Sequence, residues 1–438
     1  SSDLEIDAQS ASGIFRITGN NTVIKNITLK NGYCENGGAI NYTATYKDAG
    51  YLKIINSAIE KSTAKRLGGA IYSEGRLTIT KSSLEENNSN ENGGAIYNTK
   101  DLTIDDSIMQ KNNAENSGGC IYTKSGNVTI KNVEIHHNSV LNYSGGAICI
   151  TGGAVEITDS ELCGNKGNTI LYTESELTIA NVKLYKNKGG AIHNNYGNLT
   201  ITNSLIKDNI SSRNGGAILN GGKMNLQNSQ IEKNIAGNGG GIYIDSLKEY
   251  ESSIKNCCFK ENISKEVLNS SNESEDGLGG AIYNKCPLRI SNCSFDNNTG
   301  KKGGAIYNEA SITISDSILK NNRAEEGGAI IHKKLRRSGK YGSVRVIITI
   351  LSIINTKMQN NSAENDFTDD ISAYSILKLN KVEFDTKIKS IMNNYKVIHS
   401  KDDEEIVEKI YGPGEIDAEI FEDENYFNLN ELIQNNDL

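Results

Sequence analysis

A short repeat is the feature of this sequence that most limits what the chain can fold into. Two glycines, a small residue and usually an isoleucine recur eleven times between Gly37 and Ala329, most often 24 or 25 residues apart. A 44-residue interval fits two rungs and contains the degenerate copy 169–172, and a 40-residue interval contains an insertion. A fixed period of this length is typical of solenoid proteins, in which each repeat forms one coil and stacks on its neighbours.

Each repeat divides into three short parts, which we name the GGAI, LTIT and IxxN segments. The LTIT segment alternates apolar and polar residues, as at 77–80. In the IxxN segment an apolar residue is followed three positions later by asparagine, at Asn87, Asn138, Asn187, Asn209, Asn234, Asn262 and Asn298. Alternation over three to five residues, bounded by Gly and Asn, predicts β-strands, and no segment has a sustained helical period.

Three strands per repeat predict an all-β fold, a right-handed single-stranded parallel β-helix of about 12 to 13 rungs with a C-terminal cap. We divide the chain into N-terminal first rungs at 1–36, a repeat β-helix at 37–365 and a capping or non-repeat region at 366–438. Insertions interrupt the repeat near 264–278 and 333–342. With 43 Gly and no Trp, the chain suits a thin core of Ile, Leu, Val and Ala.

The recurrent asparagines are expected at corners of the coil, because Asn accepts a left-handed backbone and can bond to groups of its own turn. On stacked coils the side chains would form a ladder of amide hydrogen bonds. The alternative is that these residues are simple turn formers whose side chains point to solvent.

A second column follows the GGAI segment. The residue after the isoleucine is tyrosine at Tyr72, Tyr97, Tyr122, Tyr243, Tyr283 and Tyr307. If the isoleucine points inward, this column points outward. The tyrosines then form either a sugar-binding surface, since aromatic faces stack on glycans, or a stack between rungs that stabilises the sheet.

The second insertion is basic within an acidic chain. It contains Lys333, Lys334, Arg336 and Arg337. These residues form either a site for an anionic glycan or polymer, or an ordinary protruding loop.

One pair of cysteines has the spacing of a disulfide. Cys257 and Cys293 occupy equivalent positions on rungs that we expect to be neighbours. Stacked residues lie about 4.8 Å apart, which is within the Cα range of a disulfide. Pairing of Cys258 with Cys286 or with Cys293 is an alternative.

Charge and motif content argue against several functions. A net charge of −8 disfavours nucleic-acid binding, and no apolar stretch reaches the length of a transmembrane helix. No short motif for nucleotide phosphate, zinc or a serine nucleophile occurs, so we expect no cofactor, metal or catalytic residue. The acidic candidates for a β-helix enzyme, at 105–106, Asp159 and Asp316, are sparse, and the histidine pair 136–137 is expected at the surface.

The GGA[I] and [ILF]xxN repeat resembles the polymorphic outer membrane protein repeat of chlamydial surface proteins. It is more similar to the adhesin-like surface proteins of gut methanogenic archaea, whose first rungs the stretch 4–32 resembles. The resemblance covers about residues 1–365 and implies an extracellular β-helix that acts in adhesion. The sequence departs from the chlamydial pattern because Ile or Leu usually stands in the third segment where Phe is expected.

We therefore expect a secreted or cell-surface adhesin that presents its β-helix to a cell-surface glycan or protein. Two other functions remain open. One is a structural rod or fibre subunit that self-associates through the solenoid ends, and the other is a polysaccharide lyase or glycoside hydrolase of the β-helix type. Binding without turnover separates the adhesin from the enzyme.

Overall fold

The computed structural model describes residues 4–43, 50–246, 250–265, 277–333, 335–338, 344–347, 349–364, 371–373, 376–384, 395–401 and 404–411. These residues form short β-strands and no helix, so the described chain contains no helix that could cross a membrane. Two compact units divide the chain, which we name unit 1 (Ser1–Gly237 with Gly241–Lys248) and unit 2 (Asn238–Gly240 with Glu249–Leu438).

Unit 1 consists of three parallel sheets, named after the segment that supplies their strands. The IxxN sheet contains Glu5–Asp7, Thr28–Lys30, Ala58–Glu60, Ser83–Glu85, Ile108–Gln110, Glu134–His136, Glu161–Cys163, Lys183–Tyr185, Leu205–Lys207 and Gln230–Glu232. The LTIT sheet contains Asn21–Lys25, Tyr51–Ile55, Arg76–Thr80, Leu102–Asp105, Val128–Lys131, Val155–Thr158, Leu177–Ala180, Leu199–Thr202 and Met224–Gln227. The GGAI sheet contains Phe15–Ile17, Ile40–Tyr42, Ile71–Ser73, Ile96–Asn98, Ile121–Thr123, Ile148–Ile150, Lys166–Thr173, Lys188–Asn194, Ile218–Asn220 and Ile242–Ile244. Further strands precede these at Tyr33–Asn36, Thr63–Leu67, Asn88–Ser89, Asn113–Ala114, Ser139–Val140 and Ile235–Ala236.

Unit 2 repeats the same three-sheet pattern. Its IxxN strands are Cys258–Lys260, Ser294–Asp296, Ile318–Lys320, Lys357–Gln359 and Glu383–Phe384. Its LTIT strands are Ser252–Lys255, Leu288–Ser291, Ile312–Ser315, Ile350–Ile354, Ile376–Asn380 and Tyr395–Lys401, and Glu404–Tyr411 pairs antiparallel to the last of them. Its GGAI strands are Ile282–Asn284, Ile306–Asn308, Ile330–His332 and Ile371–Ala373, with short strands at Ile263–Ser264, Arg323–Ala324 and Ser362–Ala363. An antiparallel hairpin joins Leu335–Ser338 to Val344–Ile347.

Apolar columns form the core of each coil. Ile79, Ile104 and Ile130 are in register on consecutive LTIT strands, and all three are fully buried. The degenerate copy predicted at 169–172 is indeed a rung, because Leu171 pairs with its equivalents on both neighbouring strands. Parallel pairing of equivalent segments confirms the predicted fold class, an all-β parallel solenoid of about twelve turns.

Single left-handed residues make the corners, and they differ from those that the sequence predicted. Lys81 (φ 51°) follows an LTIT strand and Glu86 (φ 57°) follows an IxxN strand, immediately before Asn87. The asparagine itself is not left-handed, because its side chain must point inward from an extended backbone. The residue before it therefore turns the chain, although a left-handed non-glycine residue costs roughly 1 kcal/mol.

The asparagines form a buried column of hydrogen bonds in both units. In unit 1 each Nδ2 donates to Oδ1 of the asparagine on the next rung, at 2.8 to 3.2 Å, from Asn87 to Asn234. The same Nδ2 donates to a main-chain carbonyl of the preceding rung, as from Asn138 to Met109 at 3.1 Å. Unit 2 has the column Asn262, Asn298, Asn322 and Asn361. Every member is 3% exposed or less.

A second buried column lies at the corner before each IxxN strand. In unit 1 most of its members are serines, with Val133 and Val182 at two rungs, and the main-chain N of Ser57 donates to Oγ of Ser82 on the next rung at 3.1 Å. In unit 2 Cys257 and Cys293 occupy it, and the main-chain N of Cys257 donates to Sγ of Cys293 at 3.4 Å. The two cysteines are not joined by the predicted disulfide in this structure. Each Sγ donates to the carbonyl two residues earlier, at 3.1 and 3.2 Å.

Parts of the predicted insertions and cap lie outside the described residues. These parts are 266–276 in the first insertion, Lys334 and 339–343 in the second, and 365–370, 374–375, 385–394, 402–403 and 412–438 at the C-terminal end. The region predicted to cap the solenoid contributes the strands from Ile371–Ala373 onward.

His332, a buried histidine in unit 2, has hydrogen-bond partners that fit only the neutral imidazole. Asn308 Nδ2 lies 2.7 Å from His332 Nδ1, and its other proton goes to the carbonyl of Ala310. Thr349 donates its hydroxyl to the carbonyl of Lys333, so its Oγ1 accepts from His332 Nε2 at 3.2 Å. The ring is therefore the Nε2–H tautomer, and a proton on Nδ1 would face a donor.

This histidine is expected to make the protein acid-sensitive. Burial lowers the pKa of His332 to about 4, against about 6.5 in an unfolded chain. The stability that the neutral ring contributes is complete above about pH 6.5. As the pH falls from about 6.5 to about 4, the histidine is protonated in the unfolded chain but not in the folded one. The free energy of unfolding therefore decreases by about 3 kcal/mol. His332→Asn, which continues the Asn284–Asn308 column, should lose correspondingly less. Urea unfolding of both proteins at pH 7 and pH 4 checks this, and equal acid losses would contradict it.

Candidate functional site

The tyrosine column of unit 1 is a stack of rings. Tyr72, Tyr97 and Tyr122 are half-buried and in register on consecutive GGAI strands. Their ring centroids are 5.5 and 5.2 Å apart and the rings are within 10° of parallel. Both faces of Tyr97 are thus covered by its neighbours. The stack offers solvent its edges and its two outer faces.

The remaining predicted tyrosines offer little surface. Tyr243 in unit 1, and Tyr283 and Tyr307 in unit 2, are only 5 to 7% exposed. Tyr283 and Tyr307 pack edge to face at 5.0 Å, and the ammonium groups of Lys285 and Lys333 lie over their rings at 5.2 and 5.8 Å. The sequence could not distinguish these rings from those of Tyr72 to Tyr122.

The predicted basic loop is only partly described. Lys333 contacts the Tyr307 ring, and Lys334 lies outside the described residues. The structure describes only the backbone of Arg336 and Arg337, in the hairpin strand Leu335–Ser338. Whether this loop meets an anionic ligand stays a prediction.

A recess opens beside the outer face of Tyr72. Arg16, Asn41 and Tyr72 are in register on three consecutive GGAI strands. The short Asn41 side chain between two long ones leaves a cavity of about 450 Å³, which Asn36 and Glu74 also line. We name this cavity the Tyr72 recess. One face of the Tyr72 ring borders it, because no ring stands at position 41.

Polar groups surround the Tyr72 recess. Asn41 Nδ2 donates to the carbonyl of Asn36 at 3.0 Å, whereas Asn36 Oδ1 is buried and accepts no hydrogen bond from any described residue. Glu74 accepts the Tyr72 hydroxyl at 2.7 Å. Burial, helped by that hydrogen bond, raises the pKa of Tyr72 above its usual range, so the phenol stays neutral. Arg16 is exposed and has no ion pair with another described residue.

A second cavity of unit 1, of about 510 Å³, follows the corner between the LTIT and IxxN sheets. Asp106, Glu134, Asp159 and Glu161 line it, and we name them the acidic corner. The asparagine on the rung that follows each aspartate donates to it, at 2.6 Å from Asn132 to Asp106 and at 2.9 Å from Asn181 to Asp159. Glu134 and Glu161 are in register on adjacent rungs.

Nucleophilic and titratable side chains adjoin the acidic corner. His136, Cys163 and Tyr185 stand in one column, and the Tyr185 hydroxyl donates to Glu161. Burial lowers the pKa of His136 and raises that of Cys163, so both are held neutral. The described residues contain no group of three or more His, Cys, Asp or Glu side chains that could hold a metal ion.

Sequence reasoning missed Glu134, Glu161 and the Tyr72 recess. It weighed only Asp105, Asp106, Asp159 and Asp316, of which Asp316 lies in unit 2 and accepts from Asn355 at 2.8 Å. Glu134 and Glu161 are the first residues of their IxxN segments and lie 27 residues apart, which is one repeat. This spacing could have predicted that they are neighbours on adjacent rungs.

A family model matches part of the chain. Residues 145–318 match the family model described as a right handed beta helix region. This β-helix is also similar to a solved structure of a PL6 alginate lyase in complex with a trisaccharide. That similarity has 11% sequence identity, covers 95% of this chain and 93% of that chain, and has a TM-score of 0.39. No curated protein matches the sequence.

Proposed function

We propose that this β-helix is a secreted or cell-surface adhesin-like protein that binds a glycan or protein ligand at the outer face of its GGAI sheet. The repeat supports an adhesive role, since it resembles that of adhesin-like surface proteins. The observation that carries the proposal is the Tyr72 recess, where one face of the Tyr72 ring is left uncovered among polar side chains.

The uncovered face of the Tyr72 ring supplies apolar contact area with few side-chain rotamers to fix. Most of the other residues that line the recess are polar, among them Arg16, Asn41 and Glu74, so they can bond to the polar groups of a ligand. The recess therefore has the chemistry of a binding site, whereas the covered rings of Tyr97 and Tyr122 stabilise the sheet.

Binding is tested with an array of glycans and extracellular-matrix proteins, probed with the wild-type protein, Tyr72→Ala and Tyr97→Ala. We expect a hit whose affinity falls about tenfold or more in Tyr72→Ala, because an aromatic contact of about 1.4 kcal/mol is lost. Tyr97→Ala is the matched control, since it removes an equal ring without opening the recess wall. Equal losses in the two variants, or no hit at all, would contradict the proposal.

A second candidate function rests on the acidic corner. Glu134 and Glu161 are in register on adjacent rungs, whose backbones lie about 4.8 Å apart. Side chains that run parallel from these positions would bring their carboxyl groups to about the 5 Å separation found in retaining glycoside hydrolases. Reducing-end release from each polysaccharide that binds, with wild type and Glu161→Gln, tests it. Turnover that Glu161→Gln abolishes would make the protein an enzyme, and binding without turnover removes this candidate.

A further inference from the structure

We infer that His136 and His137 form a chelating site for one late first-row transition-metal dication, such as Ni²⁺ or Zn²⁺, on the outer face of the IxxN sheet of unit 1. His136 is half-buried and His137 is exposed, so a dissolved ion can reach both rings. Imidazole nitrogen is a preferred protein ligand of these ions. The site is on a different sheet from the Tyr72 recess, so the inference does not depend on the proposed binding function.

The two rings meet through their Nδ1 atoms, which lie 3.0 Å apart with the ring planes at 86°. When both rings carry their proton on Nε2, the two Nδ1 lone pairs are free to bind a metal ion. Metal–nitrogen bonds of about 2.0 to 2.1 Å put two ligands of one ion roughly 2.9 Å apart at a right angle and roughly 3.3 Å apart in a tetrahedron. The observed separation lies between these values, so it is already that of two ligands of a single ion.

The backbone holds both rings on the outside of the coil. His136 ends the strand Glu134–His136, and His137 is left-handed (φ 58°). Consecutive side chains of a strand point to opposite faces, but the left-handed corner interrupts that alternation. Pairing with both neighbouring rungs fixes the main chain, because His136 O accepts from Lys111 N and His137 N donates to Cys163 O, each at 3.1 Å. Only side-chain rotations are therefore needed for binding.

Gly164 leaves room for the second ring. It occupies the corner of the next rung that corresponds to His137, where other rungs have long side chains such as Glu86 and Lys111. A Cβ at Gly164 would lie 3.0 Å from His137 Nε2, which is closer than ordinary van der Waals contact. At the corner of the preceding rung, the Lys111 ammonium group is directed to Glu85 and Glu86, at 2.8 and 3.1 Å. The corners on both sides thus leave the imidazole pair open to an ion.

Two imidazoles supply only part of a coordination shell. Among the residues that the structure describes, no group of three His, Cys, Asp or Glu side chains could hold a metal ion. Cys163 is in register with His136 on the next rung, but its thiol is hydrogen-bonded to Tyr185. Water or a donor from a second molecule would take the remaining positions, so we expect exchangeable binding rather than a permanent structural metal.

Isothermal titration calorimetry of the tag-free protein with nickel chloride and zinc chloride tests the inference. We expect one ion per chain, and an affinity at least tenfold lower in each of His136→Gln and His137→Asn, because the second imidazole no longer acts as an intramolecular ligand. Both variants suit the coil, since Gln110 occupies the position of His136 on the preceding rung and asparagine accepts a left-handed corner. Their melting temperatures without metal check that the fold is kept.

Cys163→Ser is the matched control and should bind metal as tightly as the wild type. Zn²⁺ should also shift the nitrogen resonances of both Nδ1 atoms in long-range proton–nitrogen spectra, which binding to one ring or to a thiol would not do. Unchanged affinity in either histidine variant, or a loss in Cys163→Ser equal to theirs, would overturn the inference. A shift at only one ring, or no binding at millimolar metal, would overturn it as well.

Discussion

Gly94→Ala is expected to destabilise unit 1 by more than about 4 kcal/mol and to abolish soluble folding. A Cβ at Gly94 would lie 2.1 Å from the carbonyl oxygen of Gly119 and 2.6 Å from that of Asn113, both main-chain atoms held in register by the sheet. Neither atom can move without breaking the pairing of neighbouring rungs. Losses of this size come from a small set of defects, one of which is overpacking, and this substitution forces a methyl group against main-chain atoms where two rungs stack.

Gly19→Ala is the matched control. The nearest atom to a Cβ there is Thr22 Oγ1 at 3.8 Å, an ordinary contact, and the backbone is not left-handed. The control should stay within about 0.5 kcal/mol of wild type. Soluble yield and urea unfolding followed by circular dichroism measure both variants. Similar stability of the two would show that the second glycine of the repeat is not required for close stacking.

Asn138→Ala is expected to lower the free energy of unfolding by about 3 to 5 kcal/mol. Asn138 Oδ1 accepts both the main-chain N and Nδ2 of Asn112, each at 2.9 Å. Its Nδ2 donates to Met109 O and Asn165 Oδ1, at 3.1 and 3.0 Å. Removing the amide leaves two buried donors unpaired, each with a cost of about 1 to 3 kcal/mol.

Asn142→Ala provides the comparison for the column. Asn142 is exposed, and its Nδ2 reaches only Asn116 Oδ1 at 3.4 Å. Its removal should change stability by less than about 0.5 kcal/mol. The urea midpoints of both variants and of the wild type decide between a structural column and a set of turn residues. Equal midpoints for Asn138→Ala and Asn142→Ala would rule out the column as a source of stability.

The repeat made the fold predictable. Paired glycines and alternating LTIT segments specify one coil, and the interval between copies specifies how coils stack, even at the degenerate copy 169–172. The left-handed corner after the IxxN strand was misplaced by one residue, because side chains as different as those of Glu86 and His137 occupy it. The residue that recurs in the sequence is the buried asparagine that follows the corner. Sequence alone therefore points to the asparagine and not to the residue before it, which turns the chain.

The candidate sites were harder to predict, since they depend on which residues are neighbours between rungs. The Tyr72 recess exists because a short Asn41 stands where the following rungs have tyrosine, and this gap has no motif. Glu134 and Glu161 become neighbours only once the length of each rung is known. The burial of Tyr283 and Tyr307 depends on lysine side chains that cover their rings.

A crystal structure of the protein with the tightest-binding oligosaccharide would test the central claim most directly. The account predicts that the ligand lies in the Tyr72 recess, in contact with the uncovered face of the Tyr72 ring. A ligand bound elsewhere, for example along the acidic corner at Glu134 and Glu161, with the Tyr72 recess holding only water, would contradict it.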